Sequence, residues 1–284
     1  MRVLVTGSSG HIGSAVAAYV RQSADVVGLD VRPGAETTVV GSIEDRPLLQ
    51  EIVPNVDGII HCAAFLTPHV GVVPEDRFTD VNVHGTENLL NLAVQHGVER
   101  FVFTSTTSVY GCSTRPKTEA IWVTEELEPA AEDIYDQTKL AAEALCAEAS
   151  KSGLQTAVMR MSRCFPEPDH LMPFYRLYRG VARQDVAQAH WLGLQADFGD
   201  FEIFNISGDS PFQPTDCREL LNDPWAVIDR YFPDGRSQYE QLGWELPGRI
   251  DRVYVIEKAK RMLGFHPTES FSDLLDQHIA SQNK

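Results

Sequence analysis

The chain has 284 residues, 43% of them hydrophobic, enough to bury the core of one large domain or one and a half ordinary ones. With 24 Lys and Arg against 40 Asp and Glu, its net charge of −16 makes a poor partner for phosphate backbones and argues against nucleic acid. Five scattered cysteines (Cys62, Cys112, Cys146, Cys164, Cys217) show no C-x-x-C spacing, which argues against a zinc site or a disulfide framework and fits a reducing cytosol.

RVLVT at 2–6 is a short apolar run that stops at glycine, so a buried strand is predicted where a signal peptide would stand. HIGSAVAAYVRQ follows, with Ile12, Val16, Tyr19 and Val20 on one helical face. DVVGLD (25–30), TTVVGS (37–42) and VDGIIHCAA (56–64) predict further strands. VNVHGTENLLNLAVQHG (81–97) predicts a helix with a glycine stop, and ERFVFTSTTSVYG (99–111) a strand that ends in a polar loop. IYDQTKLAAEALCAEASKSG reads as a helix and LQTAVMRMS (154–162) as another strand. Strands alternating with helices imply α/β architecture, a doubly wound parallel sheet with helices on both faces.

After about residue 163 the pattern changes. RCFPEPDHLMP is irregular, ARQDVAQAHWLGLQ is helical, FEIFNISG (201–208) is a strand, and PTDCRELL, WAVIDRYF and VIEKAKRML read as short helices. The expected division is a dinucleotide-binding domain over 1–162 and a small C-terminal α/β substrate lobe over 163–284, with segments returning to the first domain. No apolar run reaches the roughly 18–20 residues that span a bilayer, so no membrane partner and a cytoplasmic location are expected.

Gly7, Gly10 and Gly13 have the spacing G-x-x-G-x-x-G between the first strand and the first helix. Glycines there permit a tight turn and let backbone N–H groups approach a pyrophosphate, helped by the helix N-terminus. The second strand ends in Asp30, an acid placed to accept hydrogen bonds from ribose hydroxyls and to repel a 2′-phosphate. NAD is therefore the expected cofactor, with Arg32 softening the discrimination against NADP. Tyr135 and Lys139 are four apart, on one helical face. An ammonium near a phenol lowers its pKa and makes it a usable base. Alone, the pair reads more readily as an ordinary exposed feature of a charged helix.

Taken in order, these features resemble the extended short-chain dehydrogenase/reductases, the NAD-dependent epimerase/dehydratase family. VDGIIHCAA, VNVHGTENLL, FVFTSTTSVYG, RQDVAQAHWLGL, EIFNISG and EKAKRMLGFHP resemble further motifs of that family, over residues 2 to about 280. The resemblance implies a Rossmann fold, with Tyr135 as catalytic base, Lys139 as its partner and Thr106 holding the substrate oxygen. It implies a cofactor groove lined by Gly7, Gly10, His11, Ile12, Gly13, Asp30, Ser42, Ile43, Ala63, Ala64, Asn82, Thr104 and Met161 together with Tyr135 and Lys139. Ser42 stands where the family often has an acid, and Asn82 is equally suited to capping a turn. Phe65, Thr67, Thr106, Thr107 and Arg163 are expected on the substrate side. None of the nine histidines has metal-ligand spacing, so no metal is expected.

Thr107 and Ser108 occupy the places of the acidic pair that family dehydratases use, which argues against dehydration. Only about twenty residues separate Arg163 from Asp185, short for a nucleotide-sugar grip. MRMSRCFPEP is instead similar to the uronate dehydrogenases. Arginines 163, 176, 179 and 183 either bind a carboxylate or pair with the chain's surplus acids. The aromatics of 225–250 read as core, pocket closure or dimer contact. The expected function is NAD-dependent hydride transfer from a secondary alcohol of a sugar or sugar acid. The alternatives are a nucleotide-sugar (UDP-hexose type) 4-epimerase and a non-catalytic dinucleotide sensor; retention of Thr106, Tyr135 and Lys139 counts against the sensor. A small-molecule substrate and a homodimer, packed through the helices at 84–96 and 135–150, complete the expectation.

Overall fold

The computed structural model describes residues 1–282. Nine strands are formed: β1 (Arg2–Thr6), β2 (Asp25–Asp30), β3 (Val39–Val40), β4 (Gly58–His61), β5 (Arg100–Thr106), β6 (Ile121–Val123), β7 (Gln155–Met161), β8 (Phe201–Ile206) and β9 (Arg252–Tyr254). The helices are α1 (His11–Val20), α2 (Arg46–Ile52), α3 (Glu75–Phe78), α4 (Gly85–His96), α5 (Ile134–Ser150), α6 (Leu171–Arg176), α7 (Arg183–Gln195), α8 (Cys217–Asn222), α9 (Pro224–Tyr231), α10 (Gly235–Leu242), α11 (Glu257–Leu263) and α12 (Phe271–Gln282).

Seven strands make one parallel sheet in the order β3-β2-β1-β4-β5-β7-β8. Alternation along each strand assigns its side chains to opposite faces. Val3 and Val5 join Val16 of α1, Val186 of α7 and Ala259 of α11 on one side. Leu4, between them, joins Leu49 of α2, Leu89 of α4 and Ala142 of α5 on the other. Because the sheet is covered twice, its strands are near-continuous apolar runs. The chain winds outward in both directions from β1 and β4, which leaves a crevice at their carboxyl ends.

The differences from the sequence reading have local causes. The third predicted strand shrinks to Val39–Val40. The helix predicted from residue 81 begins at Glu75 and passes through a π-helical turn over Thr79–His84 before α4 ends at Gly97, whose φ of 68° is left-handed. The acidic stretch 119–133, between the strand and the helix that the sequence displays, contains β6, which pairs in parallel with β9, Ile121 opposite Arg252. Trp225 stacks on Phe174 (centroids 6.3 Å apart) and edge-on to Tyr239 (5.0 Å), in a second core that also takes Phe212 and Phe271. Trp225, Phe232, Tyr239 and Trp244 therefore serve this core, and the Trp225 indole N–H is satisfied by the Pro247 carbonyl at 2.9 Å.

Candidate active site

A cavity of about 770 Å³ runs along the carboxyl ends of the central strands, from Asp30 and Ser42 past the glycine loop to Thr106 and Tyr135. Its floor begins at the turn after β1. Gly7 has a φ of 71°, and a Cβ there would stand 2.8 Å from the Ala63 nitrogen. A Cβ on Gly13 would stand 2.0 Å from the Gly7 carbonyl oxygen, so both glycines are demanded by close backbone approach. α1 opens at Gly10 with no side-chain cap and no acid in its first turn. Its leading N–H groups are left for a ligand, and its dipole favours an anion.

Asp30, 8% exposed, ends β2 and closes one end of the cavity. Its carboxylate accepts from the Ser9 N–H at 3.0 Å and the Arg32 N–H at 2.9 Å, which fixes both oxygens with lone pairs to spare. Ser42 and Ile43 line the same end. The Ser42 hydroxyl is engaged with Glu44 (3.2 Å), itself held by Arg77 at 2.8 and 3.0 Å. His11, Ile12, Ala63, Ala64, Thr104 and Met161 also reach the cavity, as predicted positions do along its length. Asn82 does not. It is 1% exposed, accepts from the Phe65 N–H (2.8 Å), and donates to the Phe65 carbonyl (3.1 Å) and to Thr138 (3.1 Å). It clamps the loop that carries Phe65 instead of lining the groove, the turn-capping role the sequence left open.

At the other end Thr106 closes β5 while Tyr135 and Lys139 lie on the first turns of α5. Asp133 caps that helix by accepting from the Asp136 N–H at 2.9 Å, which sets where its first turn presents Tyr135. Tyr135 is 7% and Lys139 3% exposed, which rules out an exposed surface pair. The Thr106 hydroxyl, which accepts from the Ser108 N–H at 3.1 Å and lies 3.0 Å from the Ser108 hydroxyl, borders the cavity with the phenol. The Lys139 ammonium donates to the Thr104 carbonyl at 2.8 Å and lies 4.6 Å over the Phe103 ring. The expected lowering of the phenol's pKa by Lys139 is not what this arrangement gives. Burial pushes the Tyr135 phenol well above its ordinary range, Thr106 opposes this, and Asp136 and Asp133 add to it. Burial also pulls Lys139 down to about 8, against Cys62, Glu143 and Cys146.

Two neutral histidines brace this floor. His61 contacts Thr6 Oγ1 at 2.6 Å and Thr86 Oγ1 at 2.9 Å, and burial holds it down to about 3. Thr86 donates its own proton to the Asn82 carbonyl (2.7 Å), so His61 Nε2 is the donor to Thr86 and Nδ1 accepts from Thr6. His190 meets the Val186 carbonyl through Nδ1 (2.7 Å) and Thr104 Oγ1 through Nε2 (2.8 Å), and is held at about 4.

Phe65, Thr67, Thr107 and Arg163 all border the cavity. Of the four arginines singled out by sequence, Arg176 is consumed by Glu269 (2.6 Å), and Arg183 ties α7 to the first turn of α1 through the His11 carbonyl (2.6 Å) and Ser14 (2.8 Å). Arg163 pairs with Glu167, and Arg179 lies over the Tyr175 ring at 5.2 Å; both border the cavity. Sequence reasoning missed Arg252 and Tyr254, brought to the cavity by β9, because three residues of strand carry no readable period. It also gave no role to Ser108 and Asp136, which are hydrogen-bonded to each other at 2.6 Å.

A parallel sheet with a crevice at its switch point, a glycine loop and a Thr–Tyr–Lys set at one end of the cleft define an extended short-chain dehydrogenase/reductase. The chain belongs to the NAD dependent epimerase/dehydratase family, whose sequence model matches residues 3–173. It is 30% identical over 200 residues to a 3-beta-hydroxysteroid dehydrogenase of Mycolicibacterium neoaurum, covering 63% of this chain and 52% of that one. It is 26% identical over 321 aligned positions to a dTDP-glucose 4,6-dehydratase of Streptomyces antibioticus, covering 96% and 90%. The match spans about half the length or less of the first curated relatives. A short-chain dehydrogenase/reductase superfamily protein from Agrobacterium tumefaciens, solved with bound NAD, superposes with a TM-score of 0.74 over 100% of this chain and 97% of that one, at 24% identity. That likeness shows the shared fold.

Proposed function

We propose that this protein is an NAD-dependent oxidoreductase that removes hydride from a secondary alcohol of a sugar or sugar acid. The observation that carries the reading is the convergence of Thr106, Tyr135 and Lys139 at one end of a cleft whose other end is closed by Asp30. The cleft suits a dinucleotide: the uncapped start of α1 takes the pyrophosphate, and Asp30 takes the ribose hydroxyls. Bound NAD supplies the hydride acceptor. Lys139 points its ammonium into the cleft floor, where it donates to the Thr104 carbonyl and would have a further proton for a ribose hydroxyl of the dinucleotide. Thr106 fixes the substrate oxygen beside Tyr135, and Tyr135 receives the alcohol proton as the hydride leaves the same carbon.

Among the described residues, the acids that border the cavity, Asp30 and Glu44, lie at the ribose end, whereas Arg163, Arg179 and Arg252 lie towards the substrate end. Arg163 is paired with Glu167 and Arg252 with Asp251, so the positive sign at that end rests on Arg179, and it favours an anionic substrate. A carboxylate on a sugar acid satisfies it. So does a diphosphate, and this supports the second reading, a nucleotide-sugar 4-epimerase; a solved structural neighbour is a UDP-glucose 4-epimerase from Thermotoga maritima with UDP-glucose.

NADH absorbance on mixing the protein with NAD and a panel of free sugars, uronic acids, polyols and UDP-hexoses separates the two. NADH accumulating with one class supports the dehydrogenase. A flat trace with inverted stereocentres seen by NMR transfers the assignment to the epimerase. Tyr135→Phe should reduce either turnover by at least about 100-fold while NAD still raises the melting temperature. Near-native turnover in that variant would remove Tyr135 from the chemistry.

A further inference from the structure

The segment that follows β2, residues 31–38, folds back over the glycine loop. Its course is set by a turn in which the Thr37 N–H donates to the Gly34 carbonyl at 3.1 Å, and by the Thr38 N–H, which returns to the Gly28 carbonyl of β2 at 2.9 Å. The approach is close: a Cβ on Gly34 would stand 2.4 Å from Ser9 Oγ. Ser9 and Arg32 then enclose the Asp30 carboxylate. The Ser9 N–H donates to Oδ2 at 3.0 Å, the Arg32 N–H donates to Oδ1 at 2.9 Å, and the Ser9 hydroxyl closes the ring by donating to the Arg32 carbonyl at 2.8 Å. Behind the ring, Thr37 Oγ1 lies 2.7 Å from Ser9 Oγ and 2.7 Å from Ser8 Oγ. Valence fixes the proton positions. A carbonyl only accepts, so Ser9 spends its one proton on Arg32 and accepts from Thr37; Thr37, its proton spent, accepts from Ser8. The hydroxyls of Ser8, Thr37 and Ser9 make a chain that points one way and ends on the ring around Asp30.

We propose that Ser9 and Thr37 are positioning residues that set the cofactor preference, by holding the Asp30 carboxylate in the one orientation that meets a ribose diol. The inference rests on the reading that Asp30 takes the ribose hydroxyls of a dinucleotide. A carboxylate offers about four acceptor sites, and the ring takes one on each oxygen. One is left on each oxygen, which matches the adjacent 2′- and 3′-hydroxyls of NAD. NADP carries a phosphate in place of the 2′-hydroxyl. It loses that donor and brings negative charge against a carboxylate that can turn away only by breaking both amide bonds, at a site 8% exposed. Arg32 does not hold the acid as an ion pair. Its side chain is 70% exposed, with Nε 4.0 Å from Asp30 Oδ1, so the backbone amides orient the carboxylate. Once the ring is opened, the carboxylate is free to rotate towards that guanidinium. It then meets the diol less well and repels a 2′-phosphate less. The hydroxyl chain therefore acts on the choice between dinucleotides, through Asp30. Pyrophosphate binding, shared by both, is left to the first N–H groups of α1.

Titration calorimetry of NAD and of NADP on the full chain tests this with no substrate present. The natural chain should bind NAD the more tightly. Asp30→Ala is the reference and should collapse the NAD-to-NADP affinity ratio. Thr37→Val keeps the side-chain shape and removes the hydroxyl, and Ser9→Ala removes the bond that closes the ring. Each should weaken NAD by at least about fivefold while NADP changes by less than about twofold. Thr37→Ser, which restores the hydroxyl, should recover the natural ratio. Ser9→Ala carries the test alone if Thr37→Val fails to fold around the unpaired proton of Ser8, which is fully buried. A merely structural role would weaken both dinucleotides alike. A ratio within about twofold of the natural one in Ser9→Ala or in folded Thr37→Val overturns the positioning role and leaves Asp30 on the ribose. A ratio unmoved in Asp30→Ala takes Asp30 off the ribose, and the positioning role falls with it.

Discussion

Lys139 shows what a buried ammonium does to stability. Its pKa falls from 10.5 in the unfolded chain to about 8 in the fold, because burial strips water from the ammonium. The unfolded state therefore binds the proton more tightly. The charge opposes folding fully below pH 8, and the opposition fades as pH rises from 8 towards 10.5. Lys139→Met removes the buried charge but leaves the Thr104 carbonyl without its donor, a smaller loss. We expect the variant to be more stable than the natural chain at pH 7 by about 1–3 kcal/mol in urea unfolding, with alcohol oxidation lost. The gain should shrink as pH rises from 8 towards 10.5. A destabilised Lys139→Met would show that the carbonyl contact outweighs desolvation.

At the scale of elements, α5 does two jobs with one face. Tyr135, Lys139 and Glu143 follow at four-residue spacing and all are buried. Glu143 accepts from Arg160 of β7 at 2.6 and 3.0 Å and from Ser105 of β5 at 2.5 Å, so the pair locks the helix to the strand that ends in Thr106. Glu143→Ala would strand the Arg160 guanidinium in the interior, and should cost about 3–5 kcal/mol, measured by denaturant unfolding. A loss below about 1 kcal/mol would mean that water reaches Arg160. The sequence displayed the helix and its period, and the Tyr135–Lys139 motif with it, because those are local patterns. It did not display the lock. Arg160 lies inside the apolar run AVMRM, and its partner is seventeen residues earlier on another element. Asn82 misled for the same reason: a polar residue beside a predicted groove can face the groove or clamp the loop behind it, and only the Phe65 contacts decide. β6 and β9 were illegible because each is three residues long and its stability comes from a partner about 130 residues away.

At the scale of the whole molecule, two buried neutral imidazoles brace the sheet. His61 joins β1 to α4 through Thr6 and Thr86, and His190 joins β5 to α7 through Thr104 and Val186. Together they tie helices from both faces of the sheet to the carboxyl ends that floor the cleft. Their pKa values fall from 6.5 to about 3 and about 4, with burial as the first cause and the Lys139 charge adding to it. The sign is that of a base held neutral by the fold. The stabilisation is complete above pH 6.5 and is lost as pH falls from there towards the folded values, because the unfolded chain takes up protons that the folded chain refuses. Each histidine should remove roughly 1.4 kcal/mol of stability per pH unit over that window. Glu125 and Asp136, whose carboxyls burial raises, bind protons more readily in the fold and offset part of the loss. Urea unfolding at a series of pH values should therefore show stability falling steeply between pH 6.5 and 5, with about two protons taken up on unfolding. Over the same range the two buried imidazoles should stay neutral by NMR in the folded chain. A flat stability curve with both rings protonating near pH 6 would mean that water penetrates to the floor of the cleft, and that the braces at Thr6 and Thr104 are open in solution.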